Sequence, residues 1–127
     1  MKPAIPYIAF PGTCKEAMLH YQRVFGGEIT TMQTMGDSGM GFPDEMNAMI
    51  FNSELVAGDL VLKASDNPSG ADVGSSISVF VTFADQESQT RTFAELSDGG
   101  EVIFPITDNF GMCSDRFGVQ WMLVYQG

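Results

Sequence analysis

Phe25-Gly26-Gly27-Glu28-Ile29 is matched 73 positions later by Asp98-Gly99-Gly100-Glu101-Val102. In each copy the paired glycines end a helix, and the residues after them favour a strand. Working outward, the same shift carries Tyr7 to Phe80, Ile8 to Val81 and Phe10 to Phe83, in a register without a gap. Between Phe10 and Gly26, Thr13-Cys14-Lys15-Glu16 has the form of a capping box. Ala17, Met18, Tyr21, Val24 and Phe25 then recur at helical spacing. A helix is predicted over 14–25, and its counterpart runs from an N-cap at Asp85 to Leu96.

Strands are predicted on either side of each helix. The first half carries them at 4–10, 28–32, 46–55 and 59–65, the last two forming a hairpin around Val56-Ala57-Gly58. Pro6 points to an edge position for the first. The second half carries strands at 76–83, 101–104, 110–114 and 119–125, after a break at Asn67-Pro68-Ser69-Gly70. Each half is thus a βαβββ module, the first over 1–66 and the second over 73–127. A period of this length is two copies of one supersecondary unit, each too small to bury its sheet alone. The expectation is one α+β domain over residues 1–127, its modules pairing into a curved, barrel-like sheet around one cleft.

Composition narrows the partners. The 127-residue chain has six basic and sixteen acidic residues and a formal charge of −10. That charge repels phosphate backbones and anionic membrane surfaces, so neither nucleic acid nor membrane is expected as a partner. No apolar run approaches the roughly 20 residues of a spanning helix. The start, Met1-Lys2-Pro3-Ala4-Ile5-Pro6, does not read as a secretory signal, and a cytoplasmic location is expected. Cys14 and Cys113 fit no zinc-ligand spacing and are expected as reduced thiols. His20, the single histidine, is expected to be solvent-facing or partly packed rather than catalytic.

Two stretches, Glu16-Ala17 through Tyr21 to Phe25-Gly26-Gly27-Glu28, and Phe110-Gly111-Met112 with Asp115-Arg116-Phe117-Gly118-Val119-Gln120-Trp121, resemble the PhnB-like family. That family belongs to the vicinal oxygen chelate superfamily, with glyoxalase I, bleomycin-resistance proteins and extradiol dioxygenases. The resemblance spans nearly the whole chain and implies a paired-βαβββ fold, a homodimer, and a cleft that holds a divalent metal in enzymatic relatives. Carried onto this sequence, the metal-ligand positions fall at Pro6, at Val61 or Lys63, at Ser78 and at Met122. Proline has no donor to offer, and Ser78 and Met122 do not suit a hard cation. No metal and no cofactor are therefore expected. Asn52 stands where many family members have His, and retains only a hydrogen-bonding role. Similar chains are often described as demethylubiquinone methyltransferases. This sequence lacks the Gly-rich strand-to-helix turn and the α/β order that an adenosylmethionine site needs, so methyl transfer is not expected.

The ligand-binding candidates are Met40, Phe42, Asn52, Lys63, Ser78, Phe80, Gln120 and Met122; no catalytic residue can be named. Met40 and Phe42 lie in the Gly-rich loop 36–45, expected to act as a lid. Of nine methionines, Met32, Met35, Met40, Met46, Met49, Met112 and Met122 fall on strands or loops that could border the cleft as an adaptable apolar surface, although most are expected to fill gaps in the core. In the last strand, alternation sets Trp121, Leu123 and Tyr125 against Gln120, Met122 and Val124, the second set facing the cleft by the resemblance. Lys63 is either exposed or an anchor for an anionic substrate. The favoured function is metal-free binding of a small apolar or aromatic molecule. The alternatives are a metal-dependent lyase, isomerase or dioxygenase with ligands such as Glu54, Asp59 or Asp66, and a purely structural dimer.

Overall fold

The computed structural model describes residues 1–72 and 74–127; Val73, where the second module is expected to begin, lies outside them. Two compact units divide the chain, Met1–Asp72 and Val73–Gly127. The first contains β1 (Tyr7–Phe10), α1 (Cys14–Phe25), β2 (Glu28–Thr34), β3 (Ile50–Ala57) and β4 (Leu60–Asp66). The second contains β5 (Val79–Phe83), α2 (Gln86–Ser97), β6 (Glu101–Thr107), β7 (Phe110–Ser114) and β8 (Gln120–Tyr125). The strand orders are β1-β4-β3-β2 and β5-β8-β7-β6. In each sheet the first and last strands pair in parallel and the rest are antiparallel, so both units are βαβββ with one topology. β1 ends its sheet's order, as Pro6 implied.

The repeat is real, but its register contains a gap. α1 buries Ala17, His20, Tyr21 and Val24, and α2 buries Gln89, Thr92, Phe93 and Leu96, a shift of 72 rather than 73. Two residues, Ala84 and Asp85, lead into α2 where Pro11, Gly12 and Thr13 lead into α1, and Asp98 adds a residue before Gly99. Register is regained there because the second glycine of each pair has a steric task. A Cβ on Gly27 would strike the Val56 carbonyl oxygen and sit 2.7 Å from the Ala57 Cα. On Gly100 it would strike the Ser114 carbonyl oxygen and sit 2.7 Å from the Asp115 carbonyl carbon. In both units the chain leaves its helix across the backbone of the neighbouring strand, where only glycine fits.

Helix capping departs from expectation in one unit. Asp85 caps α2 as predicted, its carboxylate accepting from the Ser88 amide at 2.7 Å. Thr13 makes no side-chain cap on α1. Instead Asp66, at the end of β4, accepts from the amides of Gly12 (3.1 Å) and Cys14 (2.9 Å) through Oδ1 and from Ile50 (2.8 Å) through Oδ2. A carboxylate from a distant strand thus supplies the negative end that the helix N-terminus favours. His20 is also better buried than expected, at 6% exposure beside the Tyr21 ring.

The strand bounds differ where polar chemistry intervenes. β1 begins at Tyr7 rather than Ala4, since Pro6 has no amide to donate, although its carbonyl accepts from Lys63. β3 begins at Ile50 rather than Met46, because Asp44–Met46 forms a 3-10 turn. The hairpin turns at Gly58-Asp59, with Gly58 at φ 60. The second sheet turns at Asp108-Asn109, both at positive φ, the conformation of a type I′ turn. Gln89 braces that turn, donating from Nε2 to the carbonyls of Asn109 (2.8 Å) and Leu123 (3.1 Å).

The glycine contacts set an expected outcome. Gly27→Ala and Gly100→Ala should each lower stability by about 1–3 kcal/mol, the usual cost of overpacking. Gly74→Ala, with open space around it, should stay within about 0.5 kcal/mol of the parent. Urea midpoints check this, and equal midpoints for all three variants would refute the close-approach argument.

Candidate functional site

Directly opposed strand residues share a sheet face, so the register fixes which side chains meet. In the second unit Phe80 lies opposite Met122, Met122 opposite Met112, and Met112 opposite Phe104. These four form one transverse row across every strand of the sheet. Gly111 and Cys113 point the other way: a Cβ on Gly111 would meet the Phe93 ring of α2 at 2.8 Å. The row therefore occupies the face turned away from α2. Phe80 is 60% and Phe104 56% exposed, with the two methionines half-buried between them.

One step along the strands, Gln120 lies opposite Ser114, which lies opposite Glu101. The Ser78 hydroxyl donates to Gln120 Oε1 at 3.2 Å. Four of the residues singled out from sequence, Ser78, Phe80, Gln120 and Met122, thus come together on this one face. Trp121 and Leu123 are fully buried on the other, as alternation required. Met112, one of the methionines that could border the cleft, and Phe104, which was not among the candidates, complete the row. The spacing of Phe104 along β6 gave no clear signal, because a register shift between Val102 and Phe104 breaks the two-residue period.

The first unit bears different chemistry at the same lattice positions. Tyr7 lies opposite Lys63, Lys63 opposite Glu54 and Glu54 opposite Thr31. This row replaces Phe80, Met122, Met112 and Phe104 by polar side chains. Lys63 Nζ stands 3.7 Å from Glu54 Oε2, and the Thr30 hydroxyl donates to Glu54 Oε1 at 2.6 Å. Asn52, opposite Gln33, shares this face. The row keeps Lys63 half-buried and ion-paired, neither fully exposed nor free. Met40, 67% exposed, and Phe42 are not drawn into it: Phe42 packs on Phe51 with ring centroids 5.8 Å apart. The loop base is tied by Met35 and Gly36 amides donating to the carbonyls of Met49 and Asn47.

The metal-ligand positions implied by the resemblance can now be placed in register. Tyr7 opposes Lys63 as Phe80 opposes Met122, so Lys63, not Val61, corresponds to Met122. Ser78 corresponds under the 73-residue shift to Ile5, not Pro6, which falls out of phase. Neither the first unit's pair, Ile5 and Lys63, nor the second unit's pair, Ser78 and Met122, suits a divalent cation. The carboxylates weighed as substitutes are spoken for or isolated. Glu54 is paired with Lys63, Asp59 lies in the hairpin turn, and Asp66 is committed to three amides. Among the described residues, no three His, Cys, Asp or Glu side chains gather.

Neither thiol is poised for reaction. Burial pushes Cys14 up to about 11, opposed by a hydrogen bond with Ser53 and reinforced by the Asp66 carboxylate. Burial, with the charge of Asp115, pushes Cys113 up to about 11 as well. Both are free, as expected from sequence. Asp115 organises the motif that carried the resemblance. Its Oδ1 accepts from the amides of Phe117 (2.9 Å) and Val119 (3.0 Å), and its Oδ2 from Trp121 Nε1 (2.9 Å). The Asp115 to Trp121 signature is therefore a fold element, within which Gln120 shares the face of the row.

Residues 2–124 match the family model described as 3-demethylubiquinone-9 3-methyltransferase. The chain is 28% identical to protein YjdN of Escherichia coli, covering 95% of this chain and 93% of that one. A Pseudomonas aeruginosa protein of known structure is 32% identical, with 99% and 98% covered and a TM-score of 0.87. The fosfomycin resistance protein FosX of Mesorhizobium loti shares the fold alone, at 10% identity over 97% and 90% of the chains, with a TM-score of 0.67.

The three amides held by Asp66 generate a stability test. Asp66→Ala should cost about 2 kcal/mol or more, because the buried Cys14 and Ile50 amides left without an acceptor cost about 1–3 kcal/mol each. Glu54→Gln, at a partly exposed pair, should cost less than about 1 kcal/mol. A urea series showing the reverse order would make Glu54 the structural carboxylate.

Proposed function

This chain belongs to the family described as 3-demethylubiquinone-9 3-methyltransferase, the PhnB-like branch of the vicinal oxygen chelate superfamily, and on that premise we propose that it binds a small apolar or aromatic molecule without a metal. The observation that carries this reading is the uncovered Phe80–Met122–Met112–Phe104 row. Thioether and aromatic groups side by side offer a polarizable surface that adapts to flat apolar ligands. The methyltransferase activity in the family's description is not part of the proposal. Adenosylmethionine sites of that kind lie at the strand ends of doubly wound parallel sheets, whereas each sheet here holds a single parallel pair.

The expected outcome is that 2-ethylnaphthalene shifts the methyl resonances of Met112 and Met122 in methyl-labelled protein. It should do so equally before and after exhaustive treatment with chelator. Met122→Lys, which copies the first unit's chemistry, should weaken the response about tenfold or more, from the cost of setting an ammonium against an apolar ligand. Loss of the response on chelation would favour a metal-dependent enzyme instead.

Association into a homodimer is part of the same proposal. Ile5, Tyr7 and Ile77 are exposed apolar side chains in or beside β1 and β5, strands that end their sheets' orders, and such edges favour two-fold pairing. Sedimentation at micromolar concentration should give twice the chain mass of 13.8 kDa; a stable monomer would exclude it.

A further inference from the structure

The Met-Phe row explains why a ligand should be apolar, but not which apolar ligand. That distinction falls to the neighbouring row. The structure assigns Gln120 as a specificity-determining residue: its amide N–H groups select neutral aromatic carbonyl compounds over the corresponding hydrocarbons and carboxylates. This rests on the ligand-binding reading of the same face.

Three observations lead there. The Ser78 hydroxyl donates to Gln120 Oε1 at 3.2 Å, which turns the acceptor end of the amide to Ser78 and leaves Nε2 as its donor end. Gln120 precedes Met122 by two residues on β8 and shares its face, so their Cα atoms lie about 7 Å apart along the strand. A two-ring aromatic resting on Met122 and Met112 spans that distance and brings a ring-attached oxygen to the amide. The third observation is charge. Glu101 closes the polar row opposite Ser114, on a chain of net charge −10, so an anionic oxygen is repelled where a neutral carbonyl is not. No basic side chain opposes Gln120, Ser114 or Met122 in the register to offset it.

The first unit underlines the assignment. The lattice position of Gln120 is there occupied by Val61, two residues before Lys63, and offers no donor. Ser78 is likewise replaced by Ile5. Of the two sheet faces, only the second sets an amide donor beside an apolar row.

The test uses the full chain labelled at methionine methyls, with the Met112 and Met122 resonances assigned from their Met→Leu variants. The probes are 2-acetylnaphthalene, 2-ethylnaphthalene and 2-naphthoate. The ketone should bind about fivefold more tightly than the hydrocarbon, the margin of one net hydrogen bond, and more tightly than the carboxylate. Gln120→Leu should bring the ketone and hydrocarbon within twofold. Gln120→Glu, which keeps the shape and accepts where Gln donates, should also lose the ketone preference and serves if the leucine variant fails to fold. Equal binding of ketone and hydrocarbon to the parent, or a preference surviving in both variants, overturns the role of Gln120 and leaves the apolar site standing. If no probe moves either methyl, the binding reading fails and this assignment with it.

Discussion

Asp66 holds the first unit together at the point where it could most easily come apart. One carboxylate at the end of β4 receives amides from the β1–α1 turn, from the first residue of α1 and from the first residue of β3. Those segments are far apart in sequence and would otherwise present buried donors without acceptors. With the carboxylate in place, α1 begins where it does without help from Thr13, and β3 begins after the long connection rather than within it. The second unit reaches the same end differently. Asp115 gathers two amides of the β7–β8 loop and the indole of Trp121 on β8, which fixes the largest core side chain and the start of that strand.

Both carboxylates act away from the two rows on the sheet faces turned from the helices. The helix-facing sides carry the core, and the duplicated topology is maintained there by buried residues such as Tyr21 and Phe93. The other faces have diverged at matching lattice points, one to Tyr7, Lys63, Glu54 and Thr31, the other to Phe80, Met122, Met112 and Phe104. A duplicated module can vary such a face more readily than its core, because none of the eight row residues is fully buried. Function would then follow face chemistry rather than topology.

Much of this was legible in the chain. The Gly-Gly-Glu repeat announced two like modules because it marks a steric crossing that no other residue satisfies. Alternation in β8 separated Trp121 and Leu123 from Gln120 and Met122 for the same reason that strands have two sides. What stayed hidden depended on contacts between segments distant in sequence. Nothing near Thr13 reveals that Asp66 will displace it as the cap. The one-residue offset between the helices is masked because the glycines flanking them return to register. Phe104 joined the site only through pairing across a register shift, and the packing of Phe42 on Phe51 likewise has no mark in the local pattern. The fold was therefore easier to read than the site, since local patterns specify elements and long-range pairing specifies faces.

The two thiols carry a practical consequence. Cys14 and Cys113 are both fully buried and held near 11, so at neutral pH almost none of either is thiolate, the form that alkylates. The native protein is in effect a cysteine-silent scaffold. A single new cysteine in place of the exposed Met40 would accept a fluorophore or spin label alone, reporting on the surroundings of its loop with no need to remove the natural thiols.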